Sequence, residues 1–177
     1  TFGDMRLAAF GFACTGSSYL AGLKLEDQLS AATAEECQVP VITAAQSIRL
    51  AMKSMACRSI ALVSPYPADL AEAGYRYWDD AGISVVAHLR VDPALADTHR
   101  IYELTSADAL AALRRIDRSG AECLVASGTG MPTLRALRTL RTELKLPAVS
   151  SNLCLSWALT RAATPDLTPS APTGLLE

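Results

Sequence analysis

Two short stretches hold the residues best suited to chemistry, Cys14-Thr15-Gly16-Ser17-Ser18 and Ser127-Gly128-Thr129-Gly130-Met131-Pro132. Each follows a brief apolar run and precedes a helix-compatible stretch, so each reads as the turn from a strand into a helix. Such a turn offers free backbone N–H groups and the positive end of a helix dipole, and small residues let a carboxylate approach that backbone closely. Two such loops would hold two carboxylates, or one carboxylate and an enolate. A thiol next to a helix N-terminus is also enriched in thiolate, which makes Cys14 a candidate nucleophile or acid-base group. The competing reading is the small buried hydrophobe that cysteine commonly is in reduced proteins. For Cys37, Cys57, Cys123 and Cys154 packing is the reading, since Cys123 opens a strand pattern and Cys154 lies inside a helical one. Tyr66, in Ser64-Pro65-Tyr66, reads either as a phenol donating to an anion or as a strand-end cap. The glycine-rich loop at 127–130 fits neither a Walker loop nor a dinucleotide fingerprint.

The elements that must position these loops follow from periodicity. Apolar runs at residues 7–13, 39–43, 59–64, 84–89, 123–126 and 148–150 read as strands. Between and after them, residues 20–33, 44–55, 68–81, 105–119, 132–145 and 151–163 read as helices. Gly82 and Gly120 stop two of these, Thr105 and Asp108 stand in capping-box spacing, and Pro132 falls in a first helical turn. Residues 91–103 read as polar and irregular. Apolar strands alternating with helices predict an α/β fold with parallel sheets flanked by helices, and function at the carboxyl ends of the strands.

The 177 residues suffice for one sizeable core, half of them are apolar and 19% are charged. Sixteen basic against eighteen acidic residues give a net charge of −2, and without a Lys/Arg cluster nucleic-acid binding is not expected. No apolar run reaches the roughly 18–20 residues that span a bilayer, and residues 1–6 are no secretory leader, so a soluble cytoplasmic protein without a membrane partner is expected. The five cysteines contain no C-x-x-C pair, and His88 and His99 do not stand at metal-ligand spacing with them, which predicts reduced thiols and no metal. The chain does not begin with Met, so a segment ahead of Thr1 is expected.

Four segments taken in order resemble the maleate cis-trans isomerase and arylmalonate decarboxylase branch of the aspartate/glutamate racemase superfamily. They are Phe12-Ala13-Cys14-Thr15-Gly16-Ser17 with Gly22, Ser64-Pro65-Tyr66, residues 127–134, and residues 146–152 followed by Trp157-Ala158-Leu159. The resemblance runs from Leu7 to about Ala163. It implies two pseudo-symmetric lobes with the active site between them, no cofactor, and a homodimer. Residues 1–60 are expected to be part of a first lobe truncated at its N-terminus and carrying the Cys14 loop, and 61–147 the second lobe with Tyr66 and the Gly128 loop. Residues 148–164 are expected as a return segment on the first lobe, and 165–177 as a mobile tail.

Carried over by position, Cys14 matches the first-lobe catalytic cysteine, and Thr15, Gly16, Ser17 and Tyr66 match carboxylate or oxyanion donors. Thr129 and Gly130 match the second-lobe anion loop. Gly128 departs, because two-cysteine members have their second cysteine there. Racemisation needs an acid and a base on opposite faces of the carbon, which one thiol cannot supply symmetrically. Two chemistries survive. Cys14 as thiolate could add to the double bond of a small carboxylate or dicarboxylate and leave after rotation, or as a thiol it could protonate the enediolate left by decarboxylation of a malonate. The first-lobe position of the cysteine favours the isomerase. From other classes stand a non-catalytic dicarboxylate-binding module, a regulatory or structural subunit, and a redox sensor.

Overall fold

The computed structural model describes residues 6–176; the expected segment ahead of Thr1 lies outside them. Two parallel sheets form. The smaller pairs β1 (Phe10–Phe12) with β2 (Val41–Thr43). The larger has the order β4-β3-β5-β6, with β3 (Ser59–Ser64) and β5 (Cys123–Ala126) in the centre. β4 (Ser84–Arg90) and β6 (Ala148–Ser150) lie at its edges. Ile60 to Val63 and Cys123 to Ala126 are essentially inaccessible, as expected of strands covered on both faces. β4 instead alternates exposed and half-buried residues, the pattern of an edge strand.

Among the described residues seven α-helices cover the sheets: α1 (Thr15–Ala21), α2 (Leu23–Cys37), α3 (Ala44–Ser54), α4 (Ala68–Asp80), α5 (Ser106–Arg115), α6 (Leu134–Glu143) and α7 (Ser151–Ala163). The helix expected over residues 20–33 is two helices. Gly22, at φ +75°, breaks the run, and α1 begins earlier, at Thr15, directly after Cys14. Capping boxes open α3, between Thr43 and Gln46, and α5, between Thr105 and Asp108. The stretch expected to be irregular contains a 3-10 helix, Thr98–Glu103, whose N-cap Asp97 accepts from the His99 N–H at 2.8 Å.

β6 hydrogen-bonds to β5 within the larger sheet, so only α7 of the expected return segment crosses back, packing along α3 and touching β1 and β2. The tail expected to be mobile is packed. Pro165–Leu167 and Pro172–Leu176 are short 3-10 helices against α7, Pro172 and Leu176 are buried, and Trp157 Nε1 donates to the Pro169 carbonyl at 2.8 Å. A Pro/Ser/Thr-rich composition hid these apolar anchors. No helix among the described residues is long and apolar enough to cross a membrane.

Candidate active site

β1 delivers Cys14 to the N-cap of α1, β3 delivers Pro65 and Tyr66, and β5 delivers the 127–130 loop. An aromatic cluster fixes their mutual placement. Tyr19 of α1 lies 5.8 Å from the Tyr66 ring, 5.5 Å from Tyr77 and 5.9 Å from Trp78 of α4. α4 admits Tyr19 at Gly74, where a Cβ would stand 2.8 Å from the tyrosine ring. Trp78 Nε1 donates to the Tyr19 hydroxyl at 3.0 Å, and that hydroxyl shares a hydrogen bond with Ser127 Oγ at 2.7 Å.

The loops are then stitched to each other. Thr129 Oγ1 donates to the Ala13 carbonyl at 2.8 Å, joining the second loop to the first. Ser151, at the start of α7, accepts from Thr15 Oγ1 at 2.9 Å and from the Gly128 N–H at 3.1 Å. Asn152 Nδ2 holds the Thr129 carbonyl. The result is a cleft of about 360 Å³ whose polar side carries Cys14, Gly16, Ser17, Tyr66, Gly128, Thr129 and Gly130. Seven of the eight site residues read from the sequence thus meet in one cleft.

Thr15 is the eighth, and it does not line the cleft. It is fully buried with its proton given to Ser151. Two lining hydroxyls are likewise engaged, Ser17 with the Cys14 carbonyl and Thr129 with Ala13. Donors for a bound anion are therefore the Tyr66 hydroxyl, the first-turn N–H groups of α1, and the N–H groups of Thr129 and Gly130, which have no acceptor among the described residues. Burial pushes the Tyr66 phenol well above its ordinary range, the negative charge of a Cys14 thiolate adds to this, and hydrogen bonding with Thr15, Ser127 and the Gly16 backbone only partly opposes it. Tyr66 is accordingly a neutral O–H donor.

Sequence reasoning missed the rest of the cleft lining. Leu20, Leu70, Thr98, His99, Ile101 and Tyr102 line it, four of them on the 3-10 helix. That helix sits close over the second loop, since a Cβ on Gly130 would meet Ile101 Cγ2 at 3.0 Å and Tyr102 Cε1 at 3.1 Å. The Asp97-Thr98-His99 cap was the local signal available. Arg90, at the end of β4, ties this wall to the site by donating from Nε to the Tyr66 carbonyl at 2.9 Å and from Nη2 to the Leu95 carbonyl at 3.0 Å. Among the described residues no group of three or more His, Cys, Asp or Glu side chains is disposed to hold a metal.

A family model described as arylmalonate decarboxylase matches residues 6–176. The chain belongs to the arylmalonate decarboxylase family. It is similar to the maleate isomerase of Pseudomonas putida, with 26% identity over 175 residues, covering 96% of this chain and 68% of the relative. A crystal structure of arylmalonate decarboxylase shares the fold with a TM-score of 0.82 at 18% identity, covering 93% of this chain and 72% of the other. The Nocardia farcinica maleate cis-trans isomerase has the same fold. Its structure, with one cysteine changed to serine and a covalently bound succinylcysteine intermediate, matches with a TM-score of 0.82 at 23% identity, over 93% of this chain and 69% of that one.

Within this arylmalonate decarboxylase family chain, the departure at Gly128 is structural as well as chemical. Gly128 has φ +98°, and a Cβ there would stand 2.6 Å from Pro65 Cγ and 2.8 Å from Pro65 Cδ. The loop has no room for a side chain at this position, and among the described residues Cys14 is the only cysteine lining the cleft.

Proposed function

We propose that this chain is a cofactor-independent isomerase of a small carboxylate or dicarboxylate, maleate isomerase-like, with Cys14 as its nucleophile. The observation that carries the reading is the half-buried Cys14 opening into a cleft whose neighbouring donors are a neutral phenol and free backbone N–H groups. Cys14 Sγ adds as thiolate to one alkene carbon of a cis-butenedioate, forming a C–S bond. The π pair moves onto the adjacent carbon and its carboxylate as an enediolate, which Tyr66 and the N–H groups stabilise. Rotation about the new single bond follows, the pair returns, the C–S bond breaks and the thiolate is restored with the trans isomer. No proton is consumed. The succinylcysteine of the Nocardia relative is the adduct such an enediolate gives on protonation.

A second reading is favoured by the apolar side of the cleft, formed by Leu20, Leu70, Ile101 and the Tyr102 ring. A malonate bearing an apolar substituent would lose carbon dioxide there, and the enediolate would take its proton from the Cys14 thiol. Proton NMR in deuterated water with maleate and with phenylmalonate separates the two. Fumarate formation that falls by about a thousandfold or more in Cys14→Ala supports the isomerase. A monoacid with deuterium on its α-carbon supports the decarboxylase, and no turnover of either points to a non-catalytic dicarboxylate-binding module. A cytoplasmic homodimer belongs to the same reading, and sedimentation of the purified protein tests the dimer.

A further inference from the structure

The polar side of the cleft has donors for one carboxylate next to the carbon that Cys14 would attack. A dicarboxylate brings a second, and among the described residues no lysine or arginine lines the cleft to meet it. Into the same cleft the 3-10 helix brings three side chains with polar atoms, Thr98, His99 and Tyr102, and all three are exposed with no side-chain partner among the described residues. Thr98 and Tyr102 are neutral hydroxyls, whereas an imidazole has an N–H donor in either protonation state and can carry positive charge. The charged neighbours are otherwise engaged. Asp97 holds the His99 backbone N–H at 2.8 Å, and Arg100 pairs with Glu103 at 3.3 Å in a different cavity. His99 thus stands on a wall braced by Arg90 and by Ile101, which is buried against Gly130.

We propose that His99 is the specificity-determining residue that receives the second carboxylate of a dicarboxylate whose first carboxylate lies among the strand-end donors beside Cys14. The assignment rests on the carboxylate-binding reading above and adds to it the preference for two carboxylates over one. Its chemistry is a hydrogen bond from the imidazole N–H to a carboxylate oxygen, strengthened by charge when the ring is protonated.

The test needs no turnover. Carbamidomethylation of Cys14 by iodoacetamide is followed by peptide mass in the presence of succinate or of butyrate, which has the same carbon count and one carboxylate. In the parent protein succinate is expected to protect Cys14 at a concentration about five- to tenfold below that of butyrate, the size of one partly exposed ionic hydrogen bond. His99→Ala should abolish that advantage and leave butyrate protection unchanged, His99→Lys should retain it, and Tyr102→Phe should not affect it. Succinate keeping its advantage in His99→Ala, or none existing in the parent, overturns the assignment while carboxylate binding stands. Protection by neither acid overturns both.

Discussion

At the scale of single residues, Gly128 is the position at which the fold resists a side chain. Gly128→Cys must place a side chain at positive φ, at about 1–2 kcal/mol, and against Pro65, at about 1–3 kcal/mol for overpacking. A loss of about 2–5 kcal/mol is expected, seen as a thermal midpoint lower by roughly 5–15 °C; a variant as stable as the parent would mean that the Pro65 turn yields. Cys14, Tyr66 and the glycines were legible from sequence because small residues between a strand end and a helix start leave the backbone open to a ligand. The engagement of Thr15 was not. Its acceptor, Ser151, lies 136 positions away, and nothing local distinguishes a hydroxyl facing a ligand from one facing another hydroxyl.

At the scale of elements, the cleft is a meeting of three strand ends and one short 3-10 helix, and Arg90 is the brace between them. Arg90→Ala removes two charge-assisted hydrogen bonds to backbone carbonyls, at a combined cost of about 1–3 kcal/mol for a partly buried group. Amide hydrogen exchange in residues 95–103 should accelerate ahead of exchange in β3 and β5, and kcat/KM on the substrate identified should fall; unchanged exchange in that segment would show that Ile101 and Leu95 hold it alone. The strands were legible in their order and, for β3, β5 and β6, to the residue, because apolar runs this short between helices read as strands. The 3-10 helix was not, since one helical turn on a polar connection has no periodicity to read. The break at Gly22 was missed because helix-forming residues flank it on both sides.

At the scale of the whole molecule, three phenols are buried in the fold, one of them, Tyr66, lining the cleft. Burial raises Tyr19, Tyr66 and Tyr77 well above their usual range, and a hydrogen bond to the buried Glu26 carboxylate adds to this for Tyr77. Below the unfolded value of about 10 both states keep these protons, so their contribution to stability is complete. Above it the unfolded chain releases protons that the folded chain retains, and stability falls as pH rises, by up to about 4 kcal/mol per pH unit for three groups. Denaturant midpoints should therefore drop steeply above pH 10, with the tyrosinate absorbance of these phenols appearing together with unfolding; gradual titration of all five tyrosines in a folded protein would contradict it. The parallel α/β class was legible from the alternation of strands and helices, whereas the packing of residues 165–176 depends on Trp157 and Arg141, which no local pattern connects to them.

The double acceptance at Ser151 also sets a time order. Cys14 and the Gly128 loop leave the ribosome well before the hydroxyl that joins them, and Ser151 follows the last strand of the sheet. During vectorial synthesis the Thr15 hydroxyl and the Gly128 amide have only water to bond, so the two halves of the cleft stay unjoined. A stalled or prematurely ended chain carries the thiol without the surroundings that would direct it. The two sides of the cleft are joined only in chains that have been made past Ser151.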